Sequence, residues 1–326
     1  SDKYKSIKRM VLITLAGVLV MCSFFMLMDS FHGYLTMMFL LFLFLSSSTA
    51  LGDSLSQKTA ANYGLSFGRI RMWGSLGFAS GSLAAGYILT AVGVDKIFVL
   101  MIFTALVSLS LAVFLKDVPA SNKLVTIFHA LKMVSQPNLV FFLLCCVFIA
   151  TSHRANDHYI GIYIVELGGE TSLIGWGWFI ALVTEAMVFA TSAFWFHKFH
   201  PLTVVIASGV IYTIRWFVLS NVTNPEWVLP LQTLHGLTYS LYYMAALQYV
   251  TRIVPEQLQA TGQLLLITVT FGLCGIIGSL LGGWMIEAYS LSILYNALGF
   301  LALAGTIFLL IYQRLGVKQH SVSAEG

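Results

Sequence analysis

Long apolar runs follow one another along almost the whole chain, each closed by a charge, a Pro or a Gly. They predict ten helices, at about 10–28, 31–55, 72–93, 96–115, 138–165, 171–196, 202–220, 227–250, 259–287 and 291–313. The runs are continuous and do not alternate with period two, which excludes a β-barrel. The expected fold class is therefore all-α and polytopic. Most connections are short. The exception, 116–137, contains Lys116, Pro119, Lys123, Lys132 and Pro137 and reads as a linker. It separates a four-helix bundle at 1–115 from a six-helix bundle at 138–313, with 314–326 as a tail.

Composition points to the same solvent. Of the 326 residues, 58% are hydrophobic and 9% charged, whereas a soluble globular chain carries about 25% charged residues. This excludes disorder, nucleic-acid binding through basic patches and an ordinary cytosolic enzyme, and leaves the lipid bilayer as partner. The net charge of +4 is informative only once mapped onto the two sides. An even number of spans puts both ends together. Fourteen Lys and Arg then fall on the side of the N-terminus, Lys96 falls opposite, and Arg154 and Arg215 lie within spans. The positive-inside rule places both termini and the linker in the cytoplasm, in a cell membrane. The basic start runs into an apolar stretch with no A-x-A site, so no cleavable signal is expected. Cys22, Cys145, Cys146 and Cys274 sit in apolar runs without a C-x-x-C spacing and read as small buried hydrophobes.

An internal correspondence adds organisation. Gly81-Ser82-Leu83-Ala84-Ala85-Gly86-Tyr87 matches Gly278-Ser279-Leu280-Leu281-Gly282-Gly283-Trp284 at an offset of 197 residues. Small residues at such spacings allow close helix approach, so Gly74, Gly77, Gly81, Gly278 and Gly282 are expected packing positions. The turn His197–His200 lies near the position paired with Ser1–Lys5 at the same offset. Applying the offset to the second bundle places the start of the first about sixty residues before Ser1, which leads to the expectation that two helices are missing from a 6+6 arrangement. Parallel repeats of six helices are the plan of major facilitator transporters.

Phe67-Gly68-Arg69-Ile70-Arg71-Met72-Trp73-Gly74-Ser75-Leu76-Gly77-Phe78 resembles the Y-G-x-x-R-x-W-G-S-x-G-F signature of phenylpropionate-permease-like facilitators, a group related to the lactose-permease type. Asp2-Lys3-Tyr4-Lys5 with Lys8-Arg9 is similar to the tail of the superfamily loop D-[RK]-x-G-x-[RK]-[RK], departing from it at Tyr4 and Lys5. Thr184–Phe189, Arg215-Trp216 and Leu231–Gly236 extend the resemblance along nearly the whole chain. It implies a secondary transporter, not an enzyme, that takes up a small organic solute (aromatic acid, sugar or nucleoside) by proton-driven alternating access. The implied energy source is a proton gradient with no cofactor, and the implied assembly is a monomer with no obligatory protein partner. An exporter of a drug or metabolite and a non-functional truncated permease are the other readings. No P-loop, H-E-x-x-H or G-x-S-x-G motif is present.

Ionisable residues within spans are costly and therefore informative. Glu185 falls near the middle of its span, where a carboxyl serves either to exchange a proton or to hold a neighbouring helix. Arg215 keeps its charge and needs a partner, with Glu185 or Asp157 as the candidates. His235 lies on the next span and is either a third member of this set or a satisfied core histidine. The resemblance implies an acidic residue three positions after that His, and this chain has Thr238 there; Glu185 or Asp157 would then carry the proton. In His153-Arg154-Ala155-Asn156-Asp157-His158, helical spacing puts Arg154, Asp157 and His158 on one face. That face reads as a cavity lining, with Arg154 and His158 binding substrate, or as a self-neutralising ion pair. His153 and His158 are five residues apart and do not make a zinc pair, so no metal is expected. Asp53 and Arg71 flank one cytoplasmic turn. The resemblance implies that they hold substrate; an interfacial ion pair is the alternative.

Overall fold

The computed structural model describes residues 6–64, 67–117, 136–255 and 259–315. They form α1 (Ile7–Phe25), α2 (Phe31–Asn62), α3 (Phe67–Val92), α4 (Ile97–Ala112), α5 (Pro137–Glu166), α6 (Thr171–Trp195), α7 (Pro201–Leu219), α8 (Val228–Ile253), α9 (Gln259–Ile267), α10 (Cys274–Ala288) and α11 (Leu291–Arg314). Each predicted span is helical. One differs in kind: the span expected at 259–287 is broken by a π-helical turn, Thr268–Leu273, between α9 and α10. Such a turn adds a residue to the helical repeat and commonly lies at functional sites. Nine helical stretches among the described residues are long and apolar enough to cross a membrane. The remaining predicted span, α8, is made more polar by Gln232, His235, Thr238 and Ser240, all of them buried.

Local chemistry sets the helix ends. Pro137 and Pro201 occupy the first helical turns of α5 and α7, where a missing N–H costs nothing. The side chain of Ser290 accepts from Ile293 N and caps α11. After α5, Gly168 adopts φ +88°, a left-handed conformation that favours glycine. It lets Gly169 N donate to Ile164 O and Gly168 N donate to Val165 O, both at 2.9 Å, which satisfies two carbonyls at the helix end.

The chain divides into two compact units: Ser1–Gly77 with Ala84–Leu124, and Val125–Gly326 with the short piece Phe78–Leu83. In the first, α1 packs on α2 and α4. Val18, Cys22, Phe25, Leu41 and Ala105 form one apolar cluster, with Phe25 stacked on Phe98 at 4.9 Å. Ile7, Val11, Leu55 and Ala112 form another. In the second unit, α5 packs on α11 and α10, α11 on α7, α7 on α8, and α8 on α6. Its core holds Phe142, Ile149, Ile160, Tyr212, Trp216, Tyr242, Tyr249 and Tyr295, all buried. The four cysteines are buried thiols.

The packing glycines behave unequally. A Cβ at Gly278 would lie 3.0 Å from Thr151 O and 2.9 Å from Ala155 N, so α10 meets α5 backbone to backbone there. A Cβ at Gly282 would overlap the Tyr159 ring. The close approach expected at Gly77 and Gly81 is not made: among the described residues nothing lies within 4 Å of either Cβ position. Gly74 is exposed. The resemblance between Gly81–Tyr87 and Gly278–Trp284 therefore does not extend to equal packing.

Candidate functional site

Helix α5 runs through the second unit with polar residues in its middle. Thr151, Ser152, His153 and Asn156 are buried there. Arg154 and Asp157 are half-buried, with side chains 18% and 15% exposed, so they form the open edge of the cluster. Helical spacing brings two of these groups onto one oxygen of Asp157. His153 Nε2 lies 3.5 Å from Asp157 Oδ2, and an Arg154 terminal nitrogen lies 3.1 Å from the same atom. His158 is exposed, its ring 6.4 Å from that of Tyr159. The expected face thus supplies Arg154 and Asp157 to the cluster, while His158 stands outside the buried part.

Helix α8 supplies the opposing wall. The His235 ring is 5.1 Å from that of His153 and 5.5 Å from that of Trp178, edge to face. Tyr239, one turn on, stacks on His153 at 5.0 Å. Tyr243 stacks on Tyr239 at 5.6 Å. Phe271, in the π turn, meets the Tyr243 ring edge-on at 6.1 Å. The Arg154 guanidinium lies 4.5 Å from the centre of the Phe271 ring, a cation–π contact. The π turn therefore brings an aromatic face to the cation at the open edge of the cluster.

Helix α7 holds Arg215, which is fully buried. Its expected partner was Glu185 or Asp157; Asp157 acts on it electrostatically, and its hydrogen bond goes to a neutral side chain. An Arg215 terminal nitrogen donates to Gln232 Oε1 at 2.6 Å, and the guanidinium lies 4.6 Å from the Trp216 ring centre. The amide oxygen satisfies one guanidinium hydrogen, while the Trp216 ring face and the Asp157 carboxylate act on the charge itself. Trp216 Nε1 donates to Ser152 Oγ at 3.0 Å, and the Tyr295 hydroxyl donates to Asn156 Oδ1 at 3.3 Å. Together these bonds tie α5, α7, α8 and α11 around the cluster.

Glu185 on α6 is buried. It sits where α6 and α8 cross, and Gly236 makes the crossing possible. A Cβ at Gly236 would lie 2.6 Å from Ala181 O and 2.7 Å from Thr184 C. Sequence reasoning quoted Gly236 and Gln232 only within the Leu231–Gly236 match and gave them no role of their own, and it passed over Tyr239 and Phe271. The signal for Gln232 and Tyr239 was present, since both lie within one turn of His235. Phe271 had none, because the π turn alone places it. The side chains of Asp53 and Arg71 lie outside the described residues, as do residues 1–5 and most of the 116–137 linker.

His153, Asp157 and His235 present ligating atoms within 4.8 Å of one another. The spacing argument had considered only His153 with His158, and the third group comes from another helix. Arg154 and Arg215 both act electrostatically on His153 and on His235. A divalent cation placed among these atoms would be repelled by two permanent positive charges, so the donor set does not suit a metal. The cluster is instead rich in hydrogen-bonding capacity. Arg154 Nε, Arg215 Nε and its second terminal nitrogen, His153 Nδ1 and His235 Nδ1 are buried without a hydrogen-bond partner among the described residues, while the side chains of Asn156 and Asp157 bond to each other. Buried groups in that condition cost about 1–3 kcal/mol each.

Gln232→Leu removes the acceptor from a buried cation. The expected cost is about 1.5–3 kcal/mol, read as a fall of several degrees in the thermal midpoint of the purified protein. Gln232→Glu keeps an acceptor and is expected to lose less. Equal midpoints for wild type and Gln232→Leu would show that this bond does not hold α7 to α8.

Comparison with known proteins gives a consistent picture. Residues 1–297 match the MFS_1 like family. The maltose permease of Geobacillus stearothermophilus is 27% identical over 304 residues, which span 93% of this chain and 76% of the permease. Among solved structures, a point mutant of the nucleoside transporter NupG superposes with a TM-score of 0.83 at 14% identity, covering 95% of this chain and 84% of that one. A point mutant of the Escherichia coli fucose:proton symporter FucP superposes with a TM-score of 0.55 at 13% identity, covering 94% of this chain and 84% of that one. These solved structures share the fold.

Proposed function

The chain belongs to the MFS_1 like family of major facilitator transporters, and from that premise we propose that it is a proton-coupled carrier that takes up a small organic solute. That it is a multi-pass membrane protein and a secondary transporter of small solutes, not an enzyme, follows from the family and its relatives. The coupling is our reading, and the observation that carries it is the Arg154–Asp157–His153 cluster in the middle of α5, half-buried at its open edge, with His235 of α8 against it. A charged cluster inside a membrane protein is retained for ion or substrate movement far more often than for stability. FucP is a proton symporter by its description, which supports the same reading.

In this mechanism Asp157 exchanges the proton, because it is the carboxyl on which Arg154 and His153 converge in the middle of the span. His235 and His153 are the neighbouring groups able to pass a proton on. Arg215, fixed by Gln232, supplies positive charge behind them. Glu185 is the second carboxyl of the set. Arg154 with His158 at the open edge, and Asp53 with Arg71, contact solute. Alternating access then rocks one bundle, 1–115, against the other, 138–313, about the 116–137 linker. The protein works as a monomer in the cell membrane, with both termini and the linker cytoplasmic.

Two experiments test this. Cells producing the protein should accumulate one member of a labelled panel of aromatic acids, sugars and nucleosides, and a protonophore should abolish the accumulation. No protonophore-sensitive uptake, or outward pumping only, would refute the reading. For topology, single cysteines at Ser121 and Asn224 in a background lacking the native four should react oppositely with an impermeant thiol reagent in intact cells. Labelling at Asn224 and not at Ser121 is expected; labelling at Ser121 would overturn the orientation.

A further inference from the structure

The π turn Thr268–Leu273 joins two helical halves that are anchored separately. Before it, α9 packs on α8, where Gln259 Nε2 donates to Thr251 O at 2.9 Å. After it, α10 is fixed to α5: the backbones meet at Gly278, and the Tyr159 hydroxyl donates to Ser279 O at 2.6 Å. A regular α-helix through this stretch would hold one residue fewer, and one residue is about 100° of helix face. The extra residue therefore decides which side chains of the turn reach the cluster on α5. Phe271 does, with its ring 4.5 Å from the Arg154 guanidinium. Gly272 follows it, and among the described residues nothing lies within 4 Å of the Gly272 Cβ position, so packing at that residue does not require the turn.

A guanidinium is planar and offers two surfaces, N–H bonds in its plane and a cationic face. Arg154 uses both. A terminal nitrogen lies 3.1 Å from Asp157 Oδ2, and the Phe271 ring takes the face. Tyr243, itself stacked on Tyr239, meets the Phe271 ring edge-on and backs it. A salt bridge alone fixes a distance and leaves a long side chain free to turn about it. A ring on the face also fixes the plane, and so gives the N–H groups at the open edge a set direction.

We infer that Phe271 is a positioning residue for transport: the π turn places it, and its ring orients the Arg154 guanidinium to serve Asp157 and an entering solute at once. The ring acts through the negative charge of its face, so an apolar side chain of similar size does not replace it. The role in transport rests on the carrier reading above; the orienting contact does not.

The test reads Arg154 directly. Purified full-length chain in nanodiscs is treated with diacetyl, a small neutral reagent that consumes arginine side chains, and the rate at Arg154 is followed by peptide mass spectrometry. Arg154 is half-buried and open to such a reagent. Phe271 is exchanged for a trifluorinated phenylalanine, which keeps the ring and takes the negative charge from its face. That exchange and Phe271→Leu are expected to speed modification of Arg154 about threefold to tenfold, the worth of one cation–π contact. Phe271→Tyr should keep the wild-type rate. Deletion of Gly272 should speed it as Phe271→Leu does, because the turn then closes to a regular α-helix and Phe271 leaves its place. Arg215, fully buried beside Trp216, should stay slow throughout. Elution profile and thermal midpoint show which variants fold. In cells, the trifluorinated protein should accumulate less of whichever panel solute the wild type takes up, at matched membrane levels.

A wild-type rate at Arg154 in the trifluorinated protein would overturn the inference, because the ring would then only fill space. So would a rise at Arg154 matched by a rise at Arg215, a folded Gly272 deletion with the wild-type rate, or a released Arg154 with undiminished accumulation. Where the Gly272 deletion does not fold, the trifluorinated protein decides alone. The two readings fail separately. Release of Arg154 as expected, with no protonophore-sensitive uptake by wild-type cells, removes the carrier and keeps the orienting contact. Such uptake with no release of Arg154 does the reverse.

Discussion

Asp157→Asn is expected to abolish accumulation driven by a pH gradient while exchange of solute across the membrane survives. The substitution keeps the volume of the side chain and an oxygen to accept from Arg154, so the local geometry of α5 has little reason to change. It removes the group that exchanges a proton. With one proton moved per solute, a gradient of one pH unit can sustain an accumulation of about tenfold, since 1.4 kcal/mol corresponds to a factor of ten. Without coupling the ratio falls to about one. Glu185→Gln is the informative companion: it is expected to retain a gradient-dependent component, because the contacts to Arg154 and His153 are made by Asp157, while Glu185 lies at the α6–α8 crossing. Full accumulation by Asp157→Asn together with loss in Glu185→Gln would move the proton to Glu185.

The second large effect is structural. Gly236→Ala places a methyl group against the backbone of α6, 2.6 Å from Ala181 O and 2.7 Å from Thr184 C. Contacts under 3.0 Å of this kind cannot be relieved by turning a side chain, so the helices must separate. Overpacking costs about 1–3 kcal/mol and sometimes more, and the crossing it disturbs carries Glu185 on one helix and His235 on the other. The expected result is a large loss of folded protein on extraction, with thermal midpoint and transport reduced together. Gly77→Ala serves as the comparison, since nothing among the described residues lies within 4 Å of its Cβ position. Its midpoint should match wild type. Equal behaviour of the two variants would show that α6 and α8 do not meet as closely as the structure has them.

Hydropathy carried most of the fold. An apolar run of membrane length has one stable outcome in lipid, because backbone groups there must bond within the segment. The ten predicted runs are accordingly helical among the described residues, nine of them long and apolar enough to cross a membrane, and the polar centre of α5 was legible from its charges alone. What the sequence could not show was tertiary. Arg215 looked for a carboxylate, and pairing through space gave its hydrogen bond to Gln232. His235 was one of several candidates until the α8 wall placed it 5.1 Å from His153. The π turn has no hydropathy signature, since one added residue leaves the run apolar, yet it positions Phe271 beneath Arg154. The glycine pattern misled in part for a related reason. Small residues permit close approach but do not cause it, so Gly278 and Gly282 pack tightly while Gly77 and Gly81 do not.

The central claim is that solute and proton cross together. It is tested most directly in lightly buffered proteoliposomes with no imposed pH gradient, by following external pH after adding the solute identified in cells. Solute running inward should carry protons with it, so the medium should turn alkaline on addition, with no such change for Asp157→Asn or in liposomes without protein. Solute entry at the wild-type rate with no change in external pH would contradict the account.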